Sequence, residues 1–417
     1  MNDNHSKPES YYKPRWIAPL LRESAADHPV LVITGARQVG KSTLLQNESP
    51  FSEWRYLSLD DFDVLAQAKK EPFSLWAGVD RIILDEVQKA PNILDAVKVA
   101  VDSSPEKYRF ILTGSANLLV SSKVSESLAG RAVYFSLNPM TCGEQNGRSA
   151  PDWLRWLFAG QSFREADTPS ERIDPLPLMW KGFMPALLRY EASSSIIRWW
   201  EGYVTTYLER DLRQLSQVDS LPDFKRLMTA LALRCGQILN QSEVSRDTGI
   251  SQPTIHRYIN LLETTCLIQR LPAFAVNRTK RLIKSPKIIW TDPGLVCFLD
   301  GHYTVPSVQS AREAGGIFES MVFLHLDSLC QLMLPRPRIY YWRTSTGKEV
   351  DFVLEWGRKL LPVEVKLTNQ PKYSEAEHLK LFMSEYPESV MGLLIHTGDQ
   401  ISQLGERIYA VPWVLFR

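Results

Sequence analysis

VLVITGARQVGKSTLLQN (30–47) is the stretch that decides how the first part of the chain must fold. VLVIT (30–34) is a β-branched apolar run of the kind that forms a buried strand. GARQVGKS (35–42) sets Gly35, Gly40, Lys41 and Ser42 in the register of a phosphate-binding loop, and TLLQN continues as a helix. Each residue type has a task. Gly35 and Gly40 let backbone N–H groups wrap phosphates, Lys41 reaches the β and γ phosphates as a point charge, and the Ser42 hydroxyl can ligate Mg²⁺. The helix N-terminus adds partial positive charge. The nucleotide-binding set is therefore Gly35, Ala36, Arg37, Gln38, Val39, Gly40, Lys41, Ser42 and Thr43, with ATP and Mg²⁺ as the expected cofactors.

Four further strand-like runs work outward from this loop. RIILDE (81–86) puts Asp85 and Glu86 at the tip of an apolar strand: Asp85 fits the Mg²⁺ carboxylate, and Glu86 is the acid that polarises the attacking water. RYLSLDD (55–61) lies between, so the loop strand and the Asp-Glu strand are not sequential neighbours. RFILTGSAN (109–117) ends in polar residues, where Thr113 or Ser115 could sense the γ-phosphate; a plain strand-ending turn is the other reading, since Thr, Gly and Ser favour turns. SLAGRAVYFSL (127–137) then gives a helix end, Arg131 and a fifth strand.

GARQVGKSTLL, YLSLDD, ILDEVQ, FILTGSAN and LAGRA, in this order and spacing, resemble the N-terminal module of a bacterial and archaeal AAA+ ATPase family whose members carry a C-terminal region long without an assigned function. The resemblance runs from about residue 15 to about 390 and includes WTDPGL (290–295). It implies a P-loop AAA+ ATPase with catalytic Lys41, Glu86, Ser115 and Arg131. Arg131 is where such proteins present a finger to a neighbouring subunit. A role within its own subunit, or a plain surface position, is the alternative.

The chain has 417 residues, 44% hydrophobic and 23% charged, which points to a folded protein of two to four domains rather than a disordered or collagen-like one. No apolar run is long enough to span a bilayer and the start is polar, so the expectation is a cytoplasmic protein with no membrane partner. Five cysteines at irregular spacing fit neither a disulfide framework nor paired zinc ligands. The net charge of +1 offers no global attraction to a polyanion, but residues 201–300 carry 13 basic and 10 acidic groups while the sections on either side each sum to −1.

Residues 151–215 show aromatic and aliphatic residues at helical spacing, read as a helical lid and connector. NQSEVSRDTGISQPTIHRYINLLETTCLIQRL (240–271) is read as two short helices joined at Gly249, capped by Ser242 and Ser251. Ile255, Ile259 and Leu262 share one face of the second helix, leaving Gln252, Thr254, His256, Arg257 and Asn260 outward for phosphates and base edges. PAFAVNRTKRLIKSPKIIW (272–290) holds Arg278, Lys280, Arg281, Lys284 and Lys287 and no acid. One reading is a winged helix-turn-helix whose basic hairpin follows a DNA backbone. The other is a winged helix that only packs.

KEVDFVLEWGRKLLPVEVKL (348–367) is read as a β-hairpin around 356–359, which sets Asp351 opposite Glu364 with Lys366 on the same face. Two carboxylates that close can bind a divalent cation. The spacing looks like a PD-(D/E)XK nuclease core, with Glu319, from an amphipathic helix in GGIFESMVFLHL (315–326), as the helix acid. A surface hairpin with cross-strand charge pairs is the alternative.

The expected architecture is α/β: an AAA+ ATPase core over 1–150, a helical lid and connector over 151–215, a winged helix-turn-helix over 216–300 and a restriction-endonuclease-like domain over 301–417. The expected function is an ATP-hydrolysing ring, a hexamer, on branched or duplex DNA such as a Holliday junction. An ATP-gated nuclease and a signalling or defence ATPase whose C-terminal half binds protein are the alternatives.

Overall fold

The computed structural model describes residues 12–114, 128–164, 167–206, 218–275, 281 and 284–417. The chain forms two compact units, Met1–Leu137 with Glu144–Ser149, and Asn138–Gly143 with Ala150–Arg417.

The first unit is built on a five-stranded sheet of β1 (Val30–Thr34), β2 (Arg55–Ser58), β3 (Arg81–Asp85), β4 (Arg109–Thr113) and β5 (Ala132–Ser136), in the order β2-β3-β4-β1-β5. Every pairing is parallel. The three inner strands read as near-continuous apolar runs because helices cover both faces of a parallel sheet, whereas the edge strands β2 and β5 stay partly exposed. Ile93, Val97 and Val101 of α2 (Ile93–Ser103) pack with Ile82, Leu84, Phe110 and Trp76 in one core. With parallel strands all C-terminal ends lie on one edge, where the ends of β1, β3 and β4 meet. The loop after β1 enters α1 (Lys41–Asn47).

The second unit holds a six-stranded mixed sheet, ordered β12-β13-β11-β10-β9-β8. Its hairpin pairs β9 (Glu349–Trp356) with β10 (Lys359–Val365), Glu355 facing Leu360 as the loop length requires. β8 is Arg338–Arg343, β11 Gly392–His396, β12 Ser402–Gly405 and β13 Ile408–Pro412. Against this sheet lies Ala314–Gln331, which was expected to be amphipathic. Residues 320–327 of it are instead buried without interruption, so this is an internal helix with no solvent face over two turns.

The helix pair is present as Gln241–Thr248 and Gln252–Thr264, with Gly249 left-handed between them at φ 71°. Ser251 caps the second helix as expected, through Thr254 N–H at 3.4 Å. The first is capped by Asn240, not Ser242: the Asn240 Oδ1 accepts from Glu243 N–H at 3.3 Å, and Ser242 lies within the helix, accepting from Gln252 Nε2 at 3.0 Å. Two antiparallel strands follow, β6 (Ile268–Leu271) and β7 (Lys287–Trp290).

The helices of 151–215 that are described fall in the second unit and find their partners at the C-terminus. Trp153 meets Phe416 edge-on at 4.5 Å, Lys359 Nζ donates to Phe158 O at 2.6 Å, and Trp413 Nε1 donates to Ile173 O at 3.0 Å. Pro175–Lys181 and Pro293–Leu299 approach through glycines: a Cβ on Gly294 would lie 2.6 Å from the Gly182 Cα. Asp292, fully buried, ties the two together by accepting from Phe183 N–H at 2.9 Å and Gly294 N–H at 2.8 Å. The five cysteines are all free.

Candidate nucleotide site and carboxylate cluster

At the C-terminal edge of the first sheet the loop 35–40 turns through positive φ at Gly35 (147°), Gln38 (59°) and Gly40 (100°). Gly35 is held to glycine by space as well, since a Cβ there would sit 2.4 Å from Leu137 O. The Lys41 ammonium is drawn back over its own loop, donating to Gly35 O and Ala36 O at 3.0 Å each. Ser42 Oγ, on the first turn of α1, donates to Asp85 Oδ2 at 2.7 Å. A hydroxyl and a carboxylate in contact are the hard oxygen donors that Mg²⁺ takes, so the residues present fit the expected ion.

Asp85 is a hub. Besides Ser42 it accepts from the hydroxyls of Tyr56 and Thr113 and from Glu86 N–H at 3.1 Å. Thr113 is thus spent on the carboxylate. Tyr56, at the second position of β2, was missed in the sequence, because strand pairing of β2 with β3 is what sets it beside Asp85. Glu86 stands at φ 58° and contacts the Gln88 amide. Burial, and next the Asp85 charge, push the Glu86 carboxyl above its ordinary range, as suits a group that must take a proton. Ser115 lies outside the described residues. Arg131 is ion-paired with Asp102 at the end of α2, its Nη2 2.8 Å from Asp102 Oδ2.

Of the outward face of Gln252–Thr264, Gln252 and His256 are exposed, Thr254 and Arg257 half-buried, and Arg257 is paired with Asp219. Ile255, Ile259 and Leu262 are buried as expected. The basic hairpin departs from its reading. Arg278 and Lys280 lie outside the described residues, but Arg281 points inward: its guanidinium grips Glu355 at 2.9 and 3.2 Å and covers the rings of Phe274 and Tyr340. Lys284 Nζ donates to Arg343 O at 3.2 Å. Lys287 is buried. Three of the acids that neutralise this segment, Glu349, Asp351 and Glu355, lie some 60 to 75 residues further along, on β9, and a fourth, Glu319, lies on the helix Ala314–Gln331, all out of reach of any local charge sum.

The hairpin register brings Asp351 and Glu364 together as expected: Asp351 Oδ2 accepts from Val365 N–H at 2.8 Å, and Lys366 Nζ lies 2.7 Å from Glu364 Oε1. Glu319 reaches the same place from its helix, and Glu349, one residue pair before Asp351, joins them. Between them sits Lys287, 2.7 Å from Glu319 Oε2, 3.1 Å from Glu349 Oε1 and 3.2 Å from Asp351 Oδ1.

Comparison with known protein families places three blocks along the chain. Residues 27–146 match an AAA domain, 176–304 a domain of unknown function (DUF8612), and 314–416 a domain of unknown function (DUF4143). The first block is an AAA-type ATPase domain. The chain is 29% identical over 399 residues to two mycobacterial proteins, uncharacterized protein Mb2031c of Mycobacterium bovis and uncharacterized protein Rv2008c of Mycobacterium tuberculosis, covering 95% of this chain and 82% of each of theirs. Among solved structures it is similar to the Walker-type ATPase Paby2304 of Pyrococcus abyssi, at 16% identity and a TM-score of 0.43, over 70% of this chain and 95% of that one. Cdc6p from Pyrobaculum aerophilum is matched at 12% identity and a TM-score of 0.24, over 75% of this chain and 99% of that one. No helix among the described residues is long and apolar enough to cross a membrane.

Proposed function

We propose that the chain hydrolyses ATP at the edge of the first sheet, assembles as a ring and uses turnover to act on DNA. The contact between Ser42 and Asp85, with Glu86 next in sequence, carries the first part. Lys41 leaves its loop carbonyls for the phosphates, and backbone N–H groups of 36–43 complete the cradle. Bound Mg²⁺ would neutralise charge on the β and γ phosphates, with Ser42 as ligand and Asp85 behind it. Glu86 holds the attacking water and receives its proton. Arg131 reaches the γ-phosphate of a neighbouring subunit once it exchanges Asp102 for that partner; both groups are solvent-facing, so the exchange is easy.

Mixing subunits tests the ring. Arg131→Ala and Glu86→Gln should each lose turnover while still binding ATP, and an equimolar mixture should regain part of it, since some interfaces then pair an intact Glu86 with an intact Arg131. Unchanged turnover in Arg131→Ala alone overturns the shared site.

DNA is proposed from the exposed face of Gln252–Thr264, where Gln252, Thr254, His256 and Arg257 stand in the manner of a winged helix-turn-helix reader. Arg278 and Lys280 would add phosphate contacts. A panel of duplex, single-stranded and four-way junction DNA, with ATP turnover followed in parallel, should show binding that weakens steeply with salt and is tightest for the branched form. A second reading is favoured by the inward turn of Arg281 and Lys287: the helix pair then docks a protein, and DNA neither binds in low salt nor stimulates turnover.

A further inference from the structure

The carboxylates that resemble a nuclease core already surround a cation. Lys287 is the first residue of β7, and its backbone is fixed on two sides, paired with Leu271 of β6 and bridged to Ile238. The neighbouring bonds Gly236 N–H to Ile288 O at 3.0 Å and Ile288 N–H to Gln237 O at 2.9 Å hold the strand start in place. From there the side chain runs inward, with 1% of it exposed. An ammonium has three N–H donors, and three carboxylates, Glu319, Glu349 and Asp351, stand at 2.7, 3.1 and 3.2 Å from the Nζ.

This geometry does not fit a divalent ion alongside the lysine. Mg²⁺ or Mn²⁺ needs oxygen ligands converging at about 2.0–2.2 Å, at a point the ammonium takes, and a third positive centre within about 3 Å would be repelled strongly in so dry a place. Arranged around the ammonium, the oxygens are also held too far apart for a metal: among the described residues, the trio of metal-type ligands with atoms all within 4.8 Å of one another is Asp300, His302 and Glu313, elsewhere in the unit. Glu364, the remaining acid, shows what is left over. Its Oε1 takes Lys366, while its Oε2 is buried with no hydrogen-bond partner among the described residues.

We propose that the cluster of Glu319, Glu349, Asp351 and Glu364 is a cation site whose resident cation is Lys287, seated on the first three, so that it accepts no divalent metal while Lys287 is in place. The cluster then serves to lock the β6-β7 hairpin onto the β9-β10 hairpin, and metal-dependent DNA cleavage at this cluster does not occur in the chain as it stands. Removing the ammonium exposes a vacant seat for Mn²⁺ or Mg²⁺.

Direct Mn²⁺ binding on nucleotide-free protein, read by electron paramagnetic resonance, tests this without any activity assay. In the wild-type chain Glu364→Gln should leave the number of bound Mn²⁺ ions unchanged. Lys287→Ala should add one ion, and Lys287→Ala with Asp351→Asn should lose it again. Mn²⁺ should also raise the melting temperature of Lys287→Ala by several degrees and that of wild type by none through this cluster. Two results overturn the proposal: a wild-type Mn²⁺ site that disappears in Glu364→Gln, or a folded Lys287→Ala that gains none. Should Lys287→Ala not fold, Lys287→Met with Glu349→Gln removes one charge of each sign and keeps the three ligands; the same gain or its absence then decides. Loss of ATP turnover plays no part in these readouts, so this proposal and the ATPase reading fail separately.

Discussion

At the residue scale the loop geometry of the candidate nucleotide site could be read from the sequence, because a phosphate-binding loop is a local device: the glycines, the lysine and the serine lie within eight positions, and backbone dihedrals alone demand Gly35 and Gly40. Lys41→Ala should reduce ATP turnover by about 10²-fold or more, the scale set by removal of a single preorganised group that meets developing charge. Tyr56 was illegible, because its role depends on which strand lies beside which. Tyr56→Phe removes one of the hydroxyls on Asp85, and a few-fold rise in the Mg²⁺ concentration needed for half-maximal turnover is expected with the fold intact. An unchanged Mg²⁺ dependence would show that the hydroxyl contributes only packing.

One buried residue gives a pH signature. His325 accepts from Cys142 N–H at 3.0 Å through Nε2, and its Nδ1 lies 2.8 Å from Met321 O, which fixes the neutral tautomer with the proton on Nδ1. Burial lowers its pKa from 6.5 to about 4. The folded state therefore binds fewer protons than the unfolded state between those values, and stability falls as pH drops from about 6.5 toward 4. Asp292, raised by burial to about 7, pulls the opposite way between about 4 and 7. Comparing melting temperatures at pH 7 and pH 5 isolates the histidine: His325→Gln, which can still donate and accept, should show a smaller acid loss than wild type.

At the element scale the β9-β10 register could be counted from the loop outward, and the helix pair from Gly249 and Ser251. Two segments were misjudged for the same physical reason. The chemistry of Ala314–Gln331 looks amphipathic over its first turns, but the sheet on one side and the helices on the other bury it all round. The basic segment leading into β7 looked solvated because the counter-charges of Arg281 and Lys287 come from β9 and from Glu319 on that helix. Helix-to-helix contact at Gly182 and Gly294 carries a sharp expectation. Gly294→Ala would force a Cβ against the Gly182 Cα at 2.6 Å, in a place with Asp292 and Trp200 already packed on it. Overpacking of this kind costs about 1–3 kcal/mol, so a lowered melting temperature is expected, with ATP binding to the loop unaffected. A variant as stable as wild type would mean that the two helices part easily.

On the scale of the whole molecule, the sequence suggested four consecutive sections, and contacts gather the last three into one unit. Lys287 shows why. Truncating it to Met would strand several carboxylates in a buried place, a change that typically costs about 3–5 kcal/mol, while its own strand belongs to the block of 176–304 and its partners to that of 314–416. Chemical denaturation followed by fluorescence should accordingly show the two blocks unfolding in one transition, and two resolved transitions within 150–417 would contradict that.

The cysteine that faces the same helix has a practical consequence. Cys235 is buried, its thiol 3.1 Å from Ser320 Oγ and 3.4 Å from Gly316 O, and its backbone carbonyl would lie 2.1 Å from a Cβ on Gly316. A thiol reagent therefore cannot reach it while the hairpin is seated. The rate at which Cys235 is alkylated becomes a clock for how often the 235–290 segment lifts from its helix, readable by mass spectrometry on the unaltered chain.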